Sequence, residues 1–105
     1  MRILFDQGTP VPLRNALIGH AVSTAFEMGW STLVNGDLLA AAESQFDSMV
    51  TTDHNLQYQQ NLTGRRLAIL VLPFANWPRL QKHLATIVSA VENLTPGAFV
   101  ELTLP

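Results

Sequence analysis

The chain has 105 residues, no cysteine and a formal net charge of −2. A chain of this length fits one hydrophobic core, so we expect a single domain over residues 1–105. The lack of cysteine excludes a disulfide scaffold, a thiol nucleophile and a thiolate zinc site, and the mild acidity excludes the strong basic footprint of a general nucleic-acid binder.

Continuous apolar runs predict strands, and apolar residues at helical spacing predict the helices between them. In the first half of the chain, we predict a strand at 2–6, a short helix from Pro12 that Gly19 ends, a strand at 20–25, an irregular loop at 27–34 and a helix at 36–45. In the second half, we predict a strand at 48–52, a polar loop at 53–64, a strand at 67–72, a long helix that starts after Asn76 and ends before Pro96, and an edge strand at 99–104. Asn35 and Asn76 are the residues predicted to cap the two longer helices.

This alternation predicts a three-layer α/β/α sandwich with a mainly parallel sheet of about five strands. The position of two acidic residues then suggests the strand order. Asp6 ends the first strand and Asp53 follows the third, and these side chains can share a site only if the two strands are neighbours. We therefore expect the order 2-1-3-4-5.

Carboxylates fall at positions that favour a functional site. Asp6 and Asp53 lie at strand ends, Asp37 opens a helix, and Glu27 lies in the stretch between. In an open α/β sheet, ligands collect at the carboxyl ends of the strands. Carboxylates gathered there repel one another unless a hard cation such as Mg²⁺ or Mn²⁺ neutralises them. The pattern therefore favours a metal-dependent site, and one that cuts a phosphodiester.

Each acid also has a structural explanation. Asp6 could cap the next turn, Asp37 could interact with the helix macrodipole, and Asp53 could form an Asx turn. Glu27 alone would be a solvated loop residue. A metal-free acid pair of the glycosidase type is a less favoured alternative, because a fold this small leaves little cleft for a sugar chain.

Two stretches resemble the PIN-like domain family, in its compact DUF5615 or Mut7-C-like branch. Residues 35–42, continuing through Phe46-Asp47 to residues 49–56, are similar to the second half of a PIN domain, where an Asp opens a helix that leads into a strand ending in Thr-x-Asp. The opening residues 1–6 are similar to the first PIN strand and its terminal Asp. The resemblance covers roughly the first 72 residues and implies a PIN-like fold and a Mg²⁺- or Mn²⁺-dependent endoribonuclease.

The resemblance implies catalytic and metal-binding roles for Asp6, Asp37 and Asp53, and a metal-binding role for Glu27. Many PIN-like proteins are toxins of toxin–antitoxin pairs, so an RNA substrate and an antitoxin protein are the implied partners. The chain departs from the compact branch at Gln7 and at His54-Asn55, where acids are often found. These departures favour the alternative of a weak or inactive PIN-like module that binds a protein or RNA.

Other side chains could contact RNA. The candidates for substrate binding are His54, Asn55, Arg65 and Arg66. The arginines could contact a phosphate backbone or lie in a solvated turn. The amide-rich run 57–61 could contact single-stranded RNA or form a polar loop.

A receiver domain that accepts a phosphoryl group is a further alternative, because it also has an Asp after its first and third strands. That fold requires an acidic pair after the first strand and a Lys at the end of a late one. Here Gln7 follows Asp6, and the only lysine, Lys82, falls in the predicted long helix. The sequence therefore disfavours a receiver.

Composition also bears on partners and location. Only 13% of the residues are charged, against roughly 25% in an average soluble domain. Apolar surface could therefore be covered by a partner or by a second copy in a homodimer. No signal peptide is visible, and no apolar run approaches the roughly 20 residues that span a bilayer. We expect a cytoplasmic protein with no membrane partner.

Overall fold

The computed structural model of this protein describes residues 1–56 and 64–105. Within these residues, five strands form one sheet in which all neighbouring strands are parallel. The strands are β1 (Arg2–Phe5), β2 (Ala21–Thr24), β3 (Ser48–Thr51), β4 (Ala68–Val71) and β5 (Phe99–Glu101); the helices are α1 (Asn35–Gln45), α2 (Trp77–Leu80) and α3 (Leu84–Glu92), with 3-10 helices at Val11–Ala16 and Gln81–His83. The sheet order β2-β1-β3-β4-β5 confirms the predicted order.

Helices cover both faces of the sheet, which explains why β3 and β4 are buried at every position. All four residues of β3 and all four of β4 are buried. The face under α1 includes Leu4, Leu39 and Met49, and the opposite face, under the first 3-10 helix and α3, includes Phe5, Leu13 and Ile87. Burial of each such side chain contributes roughly 1.5–3 kcal/mol. The sheet, with one cluster and its helices on each face, forms the predicted three-layer sandwich.

Two predicted helix features are wrong. Asn35 is not the N-cap of α1, because the helix begins at Asn35 and its N-cap is Val34, which provides no side-chain cap. The long second helix is broken, because the backbone of His83 has φ −127° and ψ 24° and interrupts the helix between α2 and α3. The cap at Asn76 is confirmed: its Oδ1 accepts a hydrogen bond from the Arg79 N–H at 3.0 Å. Among the described helices, none is long and apolar enough to cross a bilayer.

A carboxylate from α1 fixes the start of β4. The two oxygens of Glu43 accept hydrogen bonds from the backbone N–H groups of Arg66 at 2.7 Å and Leu67 at 2.9 Å. Burial raises the pKa of Glu43, but these two hydrogen bonds and the positive charges of Arg66 and Arg65 together outweigh it and leave the pKa below its usual value. The resulting stability is present above the unfolded pKa of about 4.3 and is lost as the pH falls through the lower folded value.

We expect Glu43→Gln to lower the free energy of unfolding by about 1–2 kcal/mol at pH 7, because an amide offers one acceptor oxygen where the carboxylate offers two. The cost should shrink below about pH 4, where Glu43 of the parent also begins to protonate. Urea denaturation at pH 7 and pH 3 measures both values. Glu92→Gln, which neutralises a helical acid that is 56% exposed, is the control. An equal cost at both pH values would contradict this role for Glu43.

Candidate active site at the carboxyl edge of the sheet

Asp6 and Asp53 lie at the carboxyl ends of adjacent strands. Asp6 directly follows β1, and Asp53 follows the last residue of β3 by two positions. The two strands are parallel, with Phe5 opposite Val50. Both aspartates therefore lie at the edge of the sheet where ligands collect in α/β folds.

One buried hydroxyl connects the two aspartates. Thr51 Oγ1 donates a hydrogen bond to Asp6 Oδ2, and the same oxygen accepts the backbone N–H of Asp53 at 3.0 Å. Thr51 is fully buried at the end of β3. Its hydroxyl thus fixes the orientation of the Asp6 carboxylate relative to the turn that carries Asp53.

The second oxygen of Asp6 has two further donors. Oδ1 accepts the Gly8 N–H at 3.2 Å and lies 3.0 Å from Thr9 Oγ1, whose single proton is shared with the carbonyl oxygen of Val50 at 2.8 Å. Burial raises the pKa of Asp6 above its usual value, and the charge of Asp53 raises it further, while the hydrogen bonds from these neighbours and from Thr51 lower it without cancelling the increase. Binding of a cation or a proton would relieve this cost.

Asp53 is held by two asparagines. Its Oδ1 accepts the backbone N–H of Asn55 at 2.9 Å, which is the Asx turn that the sequence allowed. Its Oδ2 accepts Nδ2 of Asn35 at 3.1 Å. The Asx turn therefore uses one oxygen only, and the other contacts the first residue of α1.

A polar pocket of about 140 Å³ lies beside Asp6. The loops after β1 and β2 and the start of α1 form its walls, which include Trp30 and Asn35. Gln7 Nε2 donates a hydrogen bond to the carbonyl oxygen of Ser31 at 2.7 Å and so joins the two loops. Among the described residues that line this pocket, none is basic. No lining side chain therefore neutralises Asp6.

Gly8 allows the loop after β1 to approach β3 closely. A Cβ atom at this position would lie 2.5 Å from Thr52 Oγ1. We expect Gly8→Ala to lower the free energy of unfolding by about 1–3 kcal/mol through overpacking, and Thr52→Ala to relieve most of that cost in the double variant. A double-mutant cycle by urea denaturation measures the coupling. Simple additivity of the two single changes would contradict the contact.

Asp37 and Glu27 are not brought to the Asp6–Asp53 pair. Asp37 is exposed in the first turn of α1. The carboxylate of Glu27 is bound by Arg14, whose Nη1 lies 3.1 Å from both of its oxygens. Within residues 1–56 and 64–105, no three acidic or histidine side chains form a group that could hold a metal ion.

Glu27 belongs to a capping box, a motif that the sequence displays as Thr24-x-x-Glu27. The Thr24 N–H donates to Glu27 Oε1 at 2.9 Å, and the Glu27 N–H donates back to Thr24 Oγ1 at 3.1 Å. This reciprocal pair is the signature of the motif. The Thr24 N–H, followed by Arg14, lowers the pKa of Glu27. The Thr-x-x-Glu spacing could have identified this structural role in advance.

The predicted RNA-contacting residues lie at two different edges of the sheet. His54 and Asn55 adjoin Asp53, and His54 Nε2 lies 3.1 Å from the carbonyl oxygen of Pro73 in the loop after β4. Arg65 and Arg66 precede β4 and therefore lie at the opposite, amino edge. The run 57–61 lies outside the described residues.

A larger pocket of about 370 Å³ lies at the amino edge and is lined mainly by apolar residues. Its acids already have partners: Glu43 accepts the backbone N–H groups of the two residues before β4, and Asp47 Oδ2 accepts the Arg2 N–H at 2.7 Å. Asp6, at the end of β1, instead lines the smaller pocket, and Asp53 is connected to it through Thr51 and Asn35. We therefore take the smaller pocket as the candidate active site.

The donor set of Asp6 and Asp53 fits a hydrated divalent cation. Mg²⁺ usually keeps several waters and is bound by one or two carboxylates together with substrate phosphates. Among the described contacts, Asp6 Oδ1 faces the Gly8 N–H and the shared Thr9 hydroxyl, whereas Asp6 Oδ2 and each oxygen of Asp53 accept one hydrogen bond. Acceptor capacity therefore remains on both side chains for an ion or its waters.

Comparisons of the chain with family models, with curated proteins and with solved structures found no match. The geometry of the carboxyl edge is therefore the guide to function.

Proposed function

We propose that this protein is a metal-dependent ribonuclease of the PIN-like type, in which Asp6 and Asp53 bind Mg²⁺ or Mn²⁺. The main support is the pair of acids at the carboxyl ends of β1 and β3, which Thr51 joins through one hydroxyl. A divalent cation shared by two such carboxylates would offset their mutual repulsion and the burial of Asp6.

The cation, when bound, would supply an activated water and offset the charge that develops on the phosphodiester. Neighbouring side chains position the two metal-binding carboxylates: Thr51 and Thr9 orient Asp6, and Asn35 orients Asp53. His54 is exposed beside Asp53, and because its Nε2 already contacts the carbonyl oxygen of Pro73, Nδ1 is the ring nitrogen that could contact a phosphate of the substrate.

The size of the pocket limits how RNA would bind. Pockets that enclose drug-sized ligands have volumes of about 300–1,000 Å³, whereas the pocket beside Asp6 has about 140 Å³. A nucleotide would not be enclosed in it. The RNA backbone would instead lie across the carboxyl edge, with a phosphate group directed toward the aspartates.

Incubation of single-stranded RNA with the parent chain tests this proposal. We expect cleavage with Mg²⁺ or Mn²⁺, none with EDTA, and a rate at least about 100-fold lower in Asp53→Asn, since that change removes a carboxylate from the ion. Glu92→Gln is the control for loss of an acid elsewhere. Cleavage in EDTA, or equal cleavage by Asp53→Asn and the parent, would contradict the proposal.

A second candidate is a PIN-like module that binds a protein or RNA without cutting it. It is favoured because Gln7 and Asn55 occupy positions where the compact PIN-like branch often has acids. It is also favoured by two apolar side chains in the loops that lead into the pocket: Phe26 is 79% exposed and Val34 is 69% exposed. An antitoxin or a second copy of the chain could cover them. Calorimetry that detects no Mg²⁺ or Mn²⁺ binding at millimolar concentration would favour this candidate.

A further inference from the structure

We infer that Asn35, and not Asp37, is the residue through which α1 contributes to the candidate active site, and that it acts as the positioning residue for Asp53. The inference deepens the proposed function and rests on it for the part that concerns a metal ion. The positioning role itself is carried by contacts among the described residues of the chain.

Asn35 is hydrogen-bonded to Asp53 and lines the pocket beside Asp6. Its Nδ2 donates a hydrogen bond to Asp53 Oδ2 at 3.1 Å. The same residue lines the pocket that contains Asp6. The side chain therefore lies where a ligand or substrate group that touches both carboxylates would also touch Asn35.

The start of α1 places the Asn35 side chain where it can make this contact. An asparagine at the beginning of a helix commonly accepts a backbone N–H as the N-cap. Here Val34 is the N-cap and Asn35 is the first helical residue, so its amide reaches across to the turn after β3. Asp37 lies two residues further on, which is about 200° around the helix axis. It is exposed and does not line the pocket.

The amide suits this position because it binds a carboxylate without adding negative charge. A carboxylate at position 35 would face Asp53 Oδ2 across a hydrogen-bond distance. Two such groups repel unless a cation lies between them. Asn35→Asp should therefore favour binding of a divalent cation, since added ligand charge tightens such sites.

The positioning role can be tested without metal. Three-bond side-chain couplings measured by NMR in EDTA report whether Asp53 occupies one χ1 rotamer. We expect one rotamer in the parent and in Asp37→Asn, and averaging in Asn35→Ala, with circular dichroism to check that each variant is folded. A fixed Asp53 rotamer in Asn35→Ala would overturn the inference. If Asn35→Ala does not fold, Asn35→Ser, which stays polar but whose shorter side chain does not extend to Asp53 Oδ2, takes its place with the same expectation of averaging.

Titration with Mn²⁺ followed by electron paramagnetic resonance tests the contribution to the ion. We expect the Kd of Asn35→Asp to be about tenfold lower than that of the parent, and that of Asp37→Asn to lie within about twofold of it. Weaker binding in Asp37→Asn, with unchanged binding in Asn35→Asp, would overturn the inference. If neither the parent nor Asn35→Asp binds Mn²⁺, the proposed nuclease function fails, and the rotamer of Asp53 alone decides the positioning role.

Discussion

Asp6→Asn is expected to lower the rate of cation-dependent RNA cleavage by about 100-fold or more while the chain stays folded. The variant replaces a metal-binding carboxylate by an amide of the same shape. The amide oxygen can still accept the hydrogen bonds from Thr9 and Gly8, and its NH₂ group can donate to Thr51 Oγ1. The loss of cleavage would therefore report the lost charge, because the surrounding contacts can be remade.

The same variant should reveal the energetic cost of the buried charge. Burial raises the pKa of Asp6, so the protonated form is favoured in the folded state. The contribution of Asp6 to stability is then fully present below the unfolded pKa of about 3.9 and is lost as the pH rises through the folded value. Asp6→Asn has no carboxyl group at this position and therefore does not lose this stability as the pH rises. The free energy of unfolding of the variant minus that of the parent should therefore be larger at pH 7 than at pH 4.

Urea denaturation of both proteins at pH 4, 5.5 and 7, together with an RNA cleavage assay at pH 7, measures the two effects. Glu92→Gln controls for the change in net charge. Cleavage at the parental rate would contradict the catalytic role of Asp6. A stability difference that does not change between pH 4 and 7 would contradict the burial of its charge.

Thr51→Val is expected to lower the free energy of unfolding by about 1–3 kcal/mol and cleavage by at least about tenfold. Valine has nearly the same shape as threonine but has no hydroxyl. The change leaves Asp6 Oδ2 without its donor and the Asp53 N–H without its acceptor. Unpaired polar groups at a buried position carry the cost of their desolvation. Thr51→Ser, which keeps the hydroxyl, should restore most of both properties.

Ser48→Ala provides a matched control at the other end of the same strand. Ser48 is fully buried, and its Oγ has no hydrogen-bond partner among the described residues. Its removal should change the free energy of unfolding by about 0.5 kcal/mol or less. Thermal and urea denaturation of the three variants give the comparison. An equal effect of Thr51→Val and Ser48→Ala would show that the Thr51 hydroxyl does not hold the two aspartates.

The strands and their order could be predicted because burial leaves a direct mark on the sequence. β3 and β4 are covered on both faces, and each is therefore an unbroken run of residues that tolerate burial. The requirement that Asp6 and Asp53 share an edge then selected one order, which the sheet has. The positions of Arg65 and Arg66 could also have been predicted, because residues that precede a parallel strand lie at the amino edge.

The side-chain contacts of the site could not be predicted in the same way. Asparagine is a residue type that is favoured at the N-cap, but the side-chain amide of Asn35 has a partner 18 residues away, at Asp53. Whether the Asn35 side chain caps the helix or bonds to Asp53 depends on how close the two residues lie in the folded chain, and the local sequence pattern does not contain that information. The link through Thr51 likewise depends on the register of β1 against β3. Glu27 differs, since its capping-box partner is close in sequence.

The position of a bound ion is the most direct test of a metal site between Asp6 and Asp53. Substoichiometric Mn²⁺ added to the ¹⁵N-labelled chain broadens the amide signals of residues close to the ion. We expect selective broadening at the carboxyl edge, around Asp6, Thr9 and Asp53, and its loss in Asp6→Asn. No broadening at millimolar Mn²⁺, or broadening confined to the amino edge around Glu43 and Asp47, would contradict the proposed site.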